Sequence, residues 1–247
     1  MRKSFYLIMA AKAVCSLSYG QYAGQTATNM SAGDGGLGGG EIAALLGPIS
    51  ENQSKNRDLY ADFQGSPYTS NEFAMTTMFY GDEDLGKIYY RYNALNGEVE
   101  IKNSLRESEQ IKSLSRDKKV SILVDGHKMS FMTFITSKQK TLNGYLSTLS
   151  DDGAYKLFKR IHVKFTEGKA APNSFVKAVP SRFSQFTEYY MQKEGVNRID
   201  EIPLKNNKLV KLVDTSKRMD LKNHLKENSF NIKNEADLIK AFQFLNK

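Results

Sequence analysis

Apolar and polar positions alternate with period two through the middle of the chain. Between about residues 59 and 203, runs rich in Tyr, Phe, Val, Ile and Thr are separated by turn signals. These are Gly81-Asp82, Asn96-Gly97, Asp125-Gly126, Asn143-Gly144, Asp151-Asp152-Gly153 and Glu194-Gly195. Alternation of this kind marks half-buried strands, and turns at such short intervals join antiparallel neighbours. Regular helices do not separate the runs, which argues against a parallel sheet built with crossover helices. After Pro203 the apolar spacing changes to three and four. A short helix is predicted over residues 207–213, and another over 216–228 with Asp214, Thr215 or Ser216 as cap. Asn234-Glu235-Ala236-Asp237 opens a last helix, with Leu238, Ile239, Phe242 and Leu245 on its apolar side. The predicted fold is mainly β (α+β): an antiparallel meander forming a curved sheet, half-barrel or sandwich, with a small C-terminal helical tail. The strands occupy residues 57–203 and the tail residues 204–247.

The stretch RYNALNGEVEIK (residues 91–102) is the most legible hairpin. A two-residue turn at Asn96-Gly97 would place Ala94 opposite Val99, Asn93 opposite Glu100, Tyr92 opposite Ile101 and Arg91 opposite Lys102. Ile88, Tyr90, Tyr92, Ala94, Val99 and Ile101 then share a core face. Tyr89, Arg91, Asn93, Leu95, Glu98, Glu100 and Lys102 share the other, which reads as a wet face. On it Arg91 lies diagonal to Glu100, an exposed pair contributing about 0.2–1 kcal/mol. The same arithmetic at Asp125-Gly126 sets Val124 opposite His127, Ile122 opposite Met129 and Val120 opposite Phe131.

The first residues change the picture. Arg2 and Lys3 precede an apolar run from Phe5 to Ala11, and Ser18-Tyr19-Gly20 places small residues where a signal peptidase requires them. Residues 1–20 are therefore expected to be a secretory signal peptide. Lys12 stands where a lipoprotein signal needs an apolar residue before Cys15, which disfavours a lipid anchor. Cleavage after Gly20 would leave a body without cysteine, excluding disulfides and thiolate chemistry together. Residues 21–56, with Gly33-Asp34-Gly35-Gly36-Leu37-Gly38-Gly39-Gly40, read as a flexible glycine-rich arm. No Lys-Ser or Lys-Thr follows the glycines, so they do not form a phosphate-binding loop. One short helical turn is expected at Glu41 to Leu46, before Gly47-Pro48.

The net charge is +8, and the signal holds three basic residues and no acid, leaving +5 for the remainder. That excess suits an anionic surface or an acidic partner, while export argues against nucleic acid. The basic residues concentrate in YKLFKRIHVKF (residues 155–165). Tyr155, Leu157, Ile161, Val163 and Phe165 share one face, with Lys159 as an intruder. Lys156, Arg160, His162 and Lys164 share the other, with Phe158 among them. This face is the candidate binding surface for an anionic headgroup or an acidic protein. The alternative is a solvent-facing edge strand guarded by charge. Asp82-Glu83-Asp84 lacks the ligand spacing of an EF-hand and reads as a polar turn. His127, His162 and His224 form no short-spaced metal motif, and no nucleophile elbow or His-Glu-x-x-His is present. No cofactor is implied.

Three segments resemble a known group when taken together. They are Gly65-Ser66-Pro67-Tyr68 with Asn71-Glu72-Phe73, leading into the Arg91-Tyr92-Asn93 hairpin; LFKRIHVKFTEGK (residues 157–169) with Pro180-Ser181-Arg182-Phe183; and LKENSFNIKNEADLIKAFQFLN (residues 225–246). The arrangement is similar to small exported proteins of Bacteroidota of unassigned function, in which a signal is often cleaved just before Gln, as at Gln21. The resemblance covers most of residues 65–246, carries no catalytic residue, and does not include the glycine-rich segment. The expectation is an exported, non-enzymatic envelope protein, periplasmic or outer-membrane associated. It would bind a protein partner, as an accessory of an outer-membrane or secretion assembly. The alternative is a carrier of a lipid or other apolar ligand in a curved sheet. The oligomeric state is not legible.

Overall fold

A computed structural model describes residues 46–47 and 63–247, except residue 174. The expected signal peptide and the glycine run lie outside the described residues. All described residues fall in one compact unit, Gly36–Lys247. The strands in chain order are β1 (Leu46–Gly47), β2 (Ala74–Tyr80), β3 (Glu83–Asn93), β4 (Glu98–Lys102), β5 (Lys112–Leu114) and β6 (Val120–Val124). They continue with β7 (His127–Ile135), β8 (Thr141–Ser150), β9 (Tyr155–Thr166), β10 (Arg182–Lys193) and β11 (Ile199–Glu201). Among the described residues three helices follow, α1 (Asn206–Leu212), α2 (Arg218–Glu227) and α3 (Glu235–Leu245), with a 3-10 turn at Thr215–Lys217 between the first two.

The fold is the mainly β arrangement with a helical tail that the alternation and turns predict. The strands form one mixed sheet in the order β1-β5-β4-β3-β2-β6-β7-β11-β10-β9-β8. Among these strands the pairings are antiparallel except for β11 against β7, where Asp200 meets Ile135 in parallel. Because β8 also pairs with β7, the pairings β7–β8–β9–β10–β11–β7 form a closed circuit. Each of its five strands sends one buried side chain into a shared cluster: Phe134, Leu146, Phe158, Tyr190 and Ile199. The rings of Phe134 and Tyr190 meet edge to face at 4.7 Å.

The rest of the sheet wraps around a larger core. Met78, Ile88, Tyr92, Val99, Ile101 and Leu114, from β2 to β5, pack in one cluster with Val120, Ile122, Met129, Tyr145, Val163 and Phe183, from β6 to β10. Strands from both halves of the order thus bury one continuous surface, which requires strong curvature. The pairing of β2 with β6 stops at Met78–Ile122, the Thr76 hydroxyl takes up the Leu123 carbonyl beyond it, and a bulge between Met78 and Phe79 interrupts β2 against β3.

A third cluster fixes the tail. Leu209, Val213, Leu221, Leu225, Leu238, Ala241, Phe242 and Leu245 close over Tyr155, Leu157, Tyr189 and Met191. Asn234 caps α3 by accepting from the amides of Ala236 and Asp237. Asn246 then acts as a substitute strand: its amide Oδ1 accepts from Tyr155 N and its Nδ2 donates to Tyr155 O, both at 2.9 Å.

The hairpin of residues 91–102 differs from its prediction in two ways. Its register places Arg91 opposite Glu100 and Tyr92 opposite Val99, with a four-residue loop. Asn93 causes this: its side chain accepts from the amides of Leu95 and Asn96, and its carbonyl accepts from Gly97 N. Ala94 is thereby drawn inward, where its carbonyl receives Val163 N at 2.8 Å. The residues on each face stay as predicted, because the shift is two. The second difference is that the polar face is covered. Arg91 and Glu100 are only 3% exposed, and their charged groups pair directly. Tyr68 donates to Glu100 Oε1 at 3.1 Å, Arg91 Nη1 donates to Asn71 O at 3.1 Å, and the guanidinium lies 3.9 Å from the Tyr68 ring centre and 4.6 Å from that of Phe73. The segment of residues 66–73 therefore roofs a face that alternation alone makes wet.

Other turns divide similarly. Asp125-Gly126 forms the predicted two-residue turn, with Val124 opposite His127 and both turn residues at positive φ. Asn143-Gly144 does not turn: it lies inside β8, opposite Thr133 and Met132, and the reversal occurs at residues 136–140. Leu46 and Gly47 are extended and paired with Leu114 and Ser113, replacing the end of the expected helical turn. Residues 41–45 lie outside the described residues. At the acidic turn, Asp84 accepts from Gly86 N at 2.7 Å and Asp82 meets Lys128 at 3.2 Å.

Candidate interaction surface

β9 and β10 pair along twelve residues each, forming the longest hairpin of the sheet. Their register generates the candidate surface. Reading along one face, Lys156 stands opposite Gln192, Phe158 opposite Tyr190, Arg160 opposite Glu188, His162 opposite Phe186 and Lys164 opposite Ser184. The alternation of β9 thus places its residues as predicted, with Phe158 turned into the closed circuit and the basic residues beyond it. The opposite face is shared. Tyr155 and Leu157 meet the tail, Val163 meets the main core, and Lys159 is neutralised by Glu235 of α3 at 2.7 Å. Burial pushes the Glu235 carboxyl up, but hydrogen bonds from Lys159 and Tyr189 outweigh it and hold the group below its usual range.

Arg160, His162 and Lys164 come together, while Lys156 lies apart. Arg160 pairs with Glu188 at 2.9 Å, and its guanidinium sits 5.1 Å from the centre of the Phe134 ring. The Tyr190 hydroxyl donates to the same carboxylate oxygen at 2.8 Å. Burial and that hydrogen bond raise the Tyr190 pKa, so the phenol stays protonated. His162 stacks on Phe186, ring centres 5.4 Å apart. Its Nδ1 lies 3.6 Å from Glu188 Oε1, beyond hydrogen-bonding reach, and is left without a partner among the described residues. Burial lowers the His162 pKa; Arg160 and Lys164 lower it further, and Glu188 opposes them. Lys164 is exposed, with its ammonium 5.0 Å from the Phe186 ring centre. Lys156 borders an open groove of about 560 Å³ between the two turns, with Asp151, Gln192, Lys193 and Glu194.

The face is therefore less basic than β9 alone suggests. Glu188 compensates Arg160, and a neutral His162 adds no charge. The basic residues that remain exposed are Lys156 at the groove and Lys164 beside Phe186, which is itself 43% accessible. β10 covers the whole length of β9, whereas β8 pairs with it only from Leu157 to Lys159, so the basic stretch from Arg160 to Lys164 keeps an edge that β8 does not cover, tied there by Val163 N to the Ala94 carbonyl. Glu188 and Phe186 escape a sequence reading because their pairing depends on the length of the loop between β9 and β10. The clustered Tyr189-Tyr190 is the one visible signal. His162 and Glu188 are a histidine–carboxylate pair, but Arg160 and Tyr190 hold that carboxylate. The result is a compensated cluster, not a poised base. His127 stands beside its turn, and His224 stacks on Phe244 with ring centres 4.0 Å apart.

Fold and face together define a mixed β-sheet protein that presents an aromatic and basic hairpin surface. No family model, curated protein or solved structure matches the chain.

Proposed function

We propose that this is an exported, non-enzymatic protein of the cell envelope, of the Bacteroidota kind. It binds a protein partner through the face of Arg160, His162, Lys164 and Phe186. The observation that carries this reading is the half-exposed Phe186 packed between His162 and Lys164. An aromatic ring held rigid by its neighbours and rimmed by charge is the usual anchor of a protein contact. The internal compensation of Arg160 by Glu188 means that docking need not desolvate Arg160 as an unpaired cation, which leaves Lys164 free to meet an acid of the partner. A role as accessory to an outer-membrane or secretion assembly fits the expected signal peptide and the cysteine-free body.

A photo-crosslinking residue placed at Phe186 tests the proposal in native envelopes, with the same residue at Met219 of α2 as control. The expected result is one stoichiometric protein adduct from position 186, lost when Lys164 is changed to Glu. Adducts of equal yield from both positions, or none from 186, would overturn it.

A further inference from the structure

The loop joining β9 to β10 stands clear of the body. Every described residue from 169 to 180 is exposed. Phe175 is 95% accessible, with Val176 and Val179 about half exposed. Three apolar side chains exposed together on one loop form a patch of the kind that marks an interaction site. The loop is held in shape by a tight neck. Lys169 and Val179 exchange two backbone hydrogen bonds of 2.8 Å, and Gly168 N donates to Ser181 Oγ at 2.9 Å. A Cβ on Gly168 would overlap the carbonyl oxygen of Val179 and the backbone of Pro180 and Ser181, so the neck closes only around glycine. At the tip, the Asn173 side chain accepts from Phe175 N and Val176 N. The apolar tip is thus built, and not merely unpacked.

Charge indicates what covers it. Lys164, Lys169, Lys177 and Arg182 lie on the loop and its stalk, against Glu167 as the one acid in residues 164–182. A protein contact of ordinary strength needs roughly 800 Å² per partner and matched shape, which one narrow tip does not offer. A lipid headgroup layer needs neither. Apolar side chains enter the acyl boundary, while flanking lysines extend their stems and hold ammonium groups at phosphate level. We infer that the loop of residues 169–179 docks on an anionic lipid surface, inserting Phe175 and Val176, with Lys169 and Lys177 on the headgroup phosphates. The inserted tip lies beyond the partner face, with which it shares only Lys164 on the stalk, and the inference does not rest on that reading.

The chain contains no Trp, so Phe175→Trp supplies a single emission reporter at an exposed position. A second full-length chain carrying Met219→Trp is the control, because any insertion by the N-terminal segment would leave both reporters in water. The probe is vesicles of phosphatidylcholine, alone or with an equal part of phosphatidylglycerol. The expected result is a blue shift of the Phe175→Trp emission with the anionic vesicles. That shift should be absent with the neutral vesicles and absent from the Met219→Trp chain. Added to the reporter chain, Lys169→Gln and Lys177→Gln should each weaken vesicle affinity about fivefold, an effect that salt erases. No shift from the loop reporter, an equal shift with neutral vesicles, or no effect of the lysine changes would overturn the inference. So would a shift produced only by a captured envelope protein, which would make the tip a protein contact.

Discussion

Replacing Glu100 by Gln keeps the shape of the side chain and removes its charge. In the native protein, Oε2 receives Nε of Arg91 at 3.1 Å as well as Nη2, and Oε1 receives the Tyr68 hydroxyl. The amide offers one oxygen and two unwanted donors in the same place, next to a guanidinium that is 3% exposed. A buried cation left without its anion typically costs about 3–5 kcal/mol. The rings of Tyr68 and Phe73, together with the Asn71 carbonyl, retain part of the stabilisation, at about 0.5–2 kcal/mol for a cation–π contact. The low end, about 3 kcal/mol, is therefore expected for Glu100→Gln. For a chain of this size that is a fall in Tm of about 6–12 °C, readable by circular dichroism. Two controls isolate the cause. Asp82→Asn removes an exposed pair and should cost less than about 1 kcal/mol. The double change Arg91→Met with Glu100→Leu removes both charges and should recover much of the loss, because apolar replacement of a buried pair is often neutral. If Glu100→Gln shifts Tm no more than Asp82→Asn does, the roof over Arg91 does not exclude water and the reasoning fails.

Four further outcomes are expected. The His162 pKa is lowered in the folded protein from its ordinary value of about 6.5, so the unfolded chain takes up this proton first. The corresponding stability is fully present above about pH 6.5 and is lost as the pH falls through the folded value. A His162→Asn variant should lose less Tm than wild type between about pH 7 and 5, and parallel Tm–pH curves would contradict this. Asn246→Ala strips both backbone partners from Tyr155 and should destabilise by about 2 kcal/mol in urea unfolding. Tyr155→Phe removes the hydroxyl that donates to Asp214 Oδ2 at 2.6 Å and accepts from Asp214 N at 3.1 Å, and should cost about 1 kcal/mol. Faster amide exchange across α2 and α3 should accompany the Asn246 change more than the Tyr155 change, because Asn246 ties the end of the chain to β9.

Period-two patterning makes the face of each residue legible, and it holds even where the register is misjudged. Tyr92 and Val99 reach the core, and Arg91 and Glu100 share the other side. Patterning does not show what lies above a polar face. The segment of residues 66–73 has no alternation to advertise it, yet it turns an exposed pair into a buried one. Dipeptide turn signals work when nothing competes, as at Asp125-Gly126. They mislead at Asn143-Gly144, which pairs with Thr133 and Met132 inside β8 while the chain reverses at residues 136–140. Helical spacing after Pro203 locates the tail well, because its apolar stripe and the Asn234 cap are both local. On the candidate face, β9 is legible alone, whereas Glu188 and Phe186 enter only through pairing across a long loop. The parallel contact of β11 with β7 is less legible still, since it joins residues far apart in the chain by a single bridge.

That contact has a kinetic consequence. β11 is three residues long and meets β7 only at Asp200 and Ile135, assisted by Ser137 N donating to Glu201 at 2.6 Å. It joins segments separated by the whole of β8, β9 and β10 through a single bridge, so it carries a long-loop closure cost with little local structure to offset it. It is therefore expected to assemble late and to open early, as a latch. When it opens, the hairpin of β9 and β10 stays paired, and the tail stays attached through Tyr155, Tyr189 and Met191. The opening is local, because Val163 and Phe183 keep the long hairpin on the main core, and it should show as an amide-exchange class in which the amides bridging β11 and β7 lose protection before those of the β9–β10 hairpin.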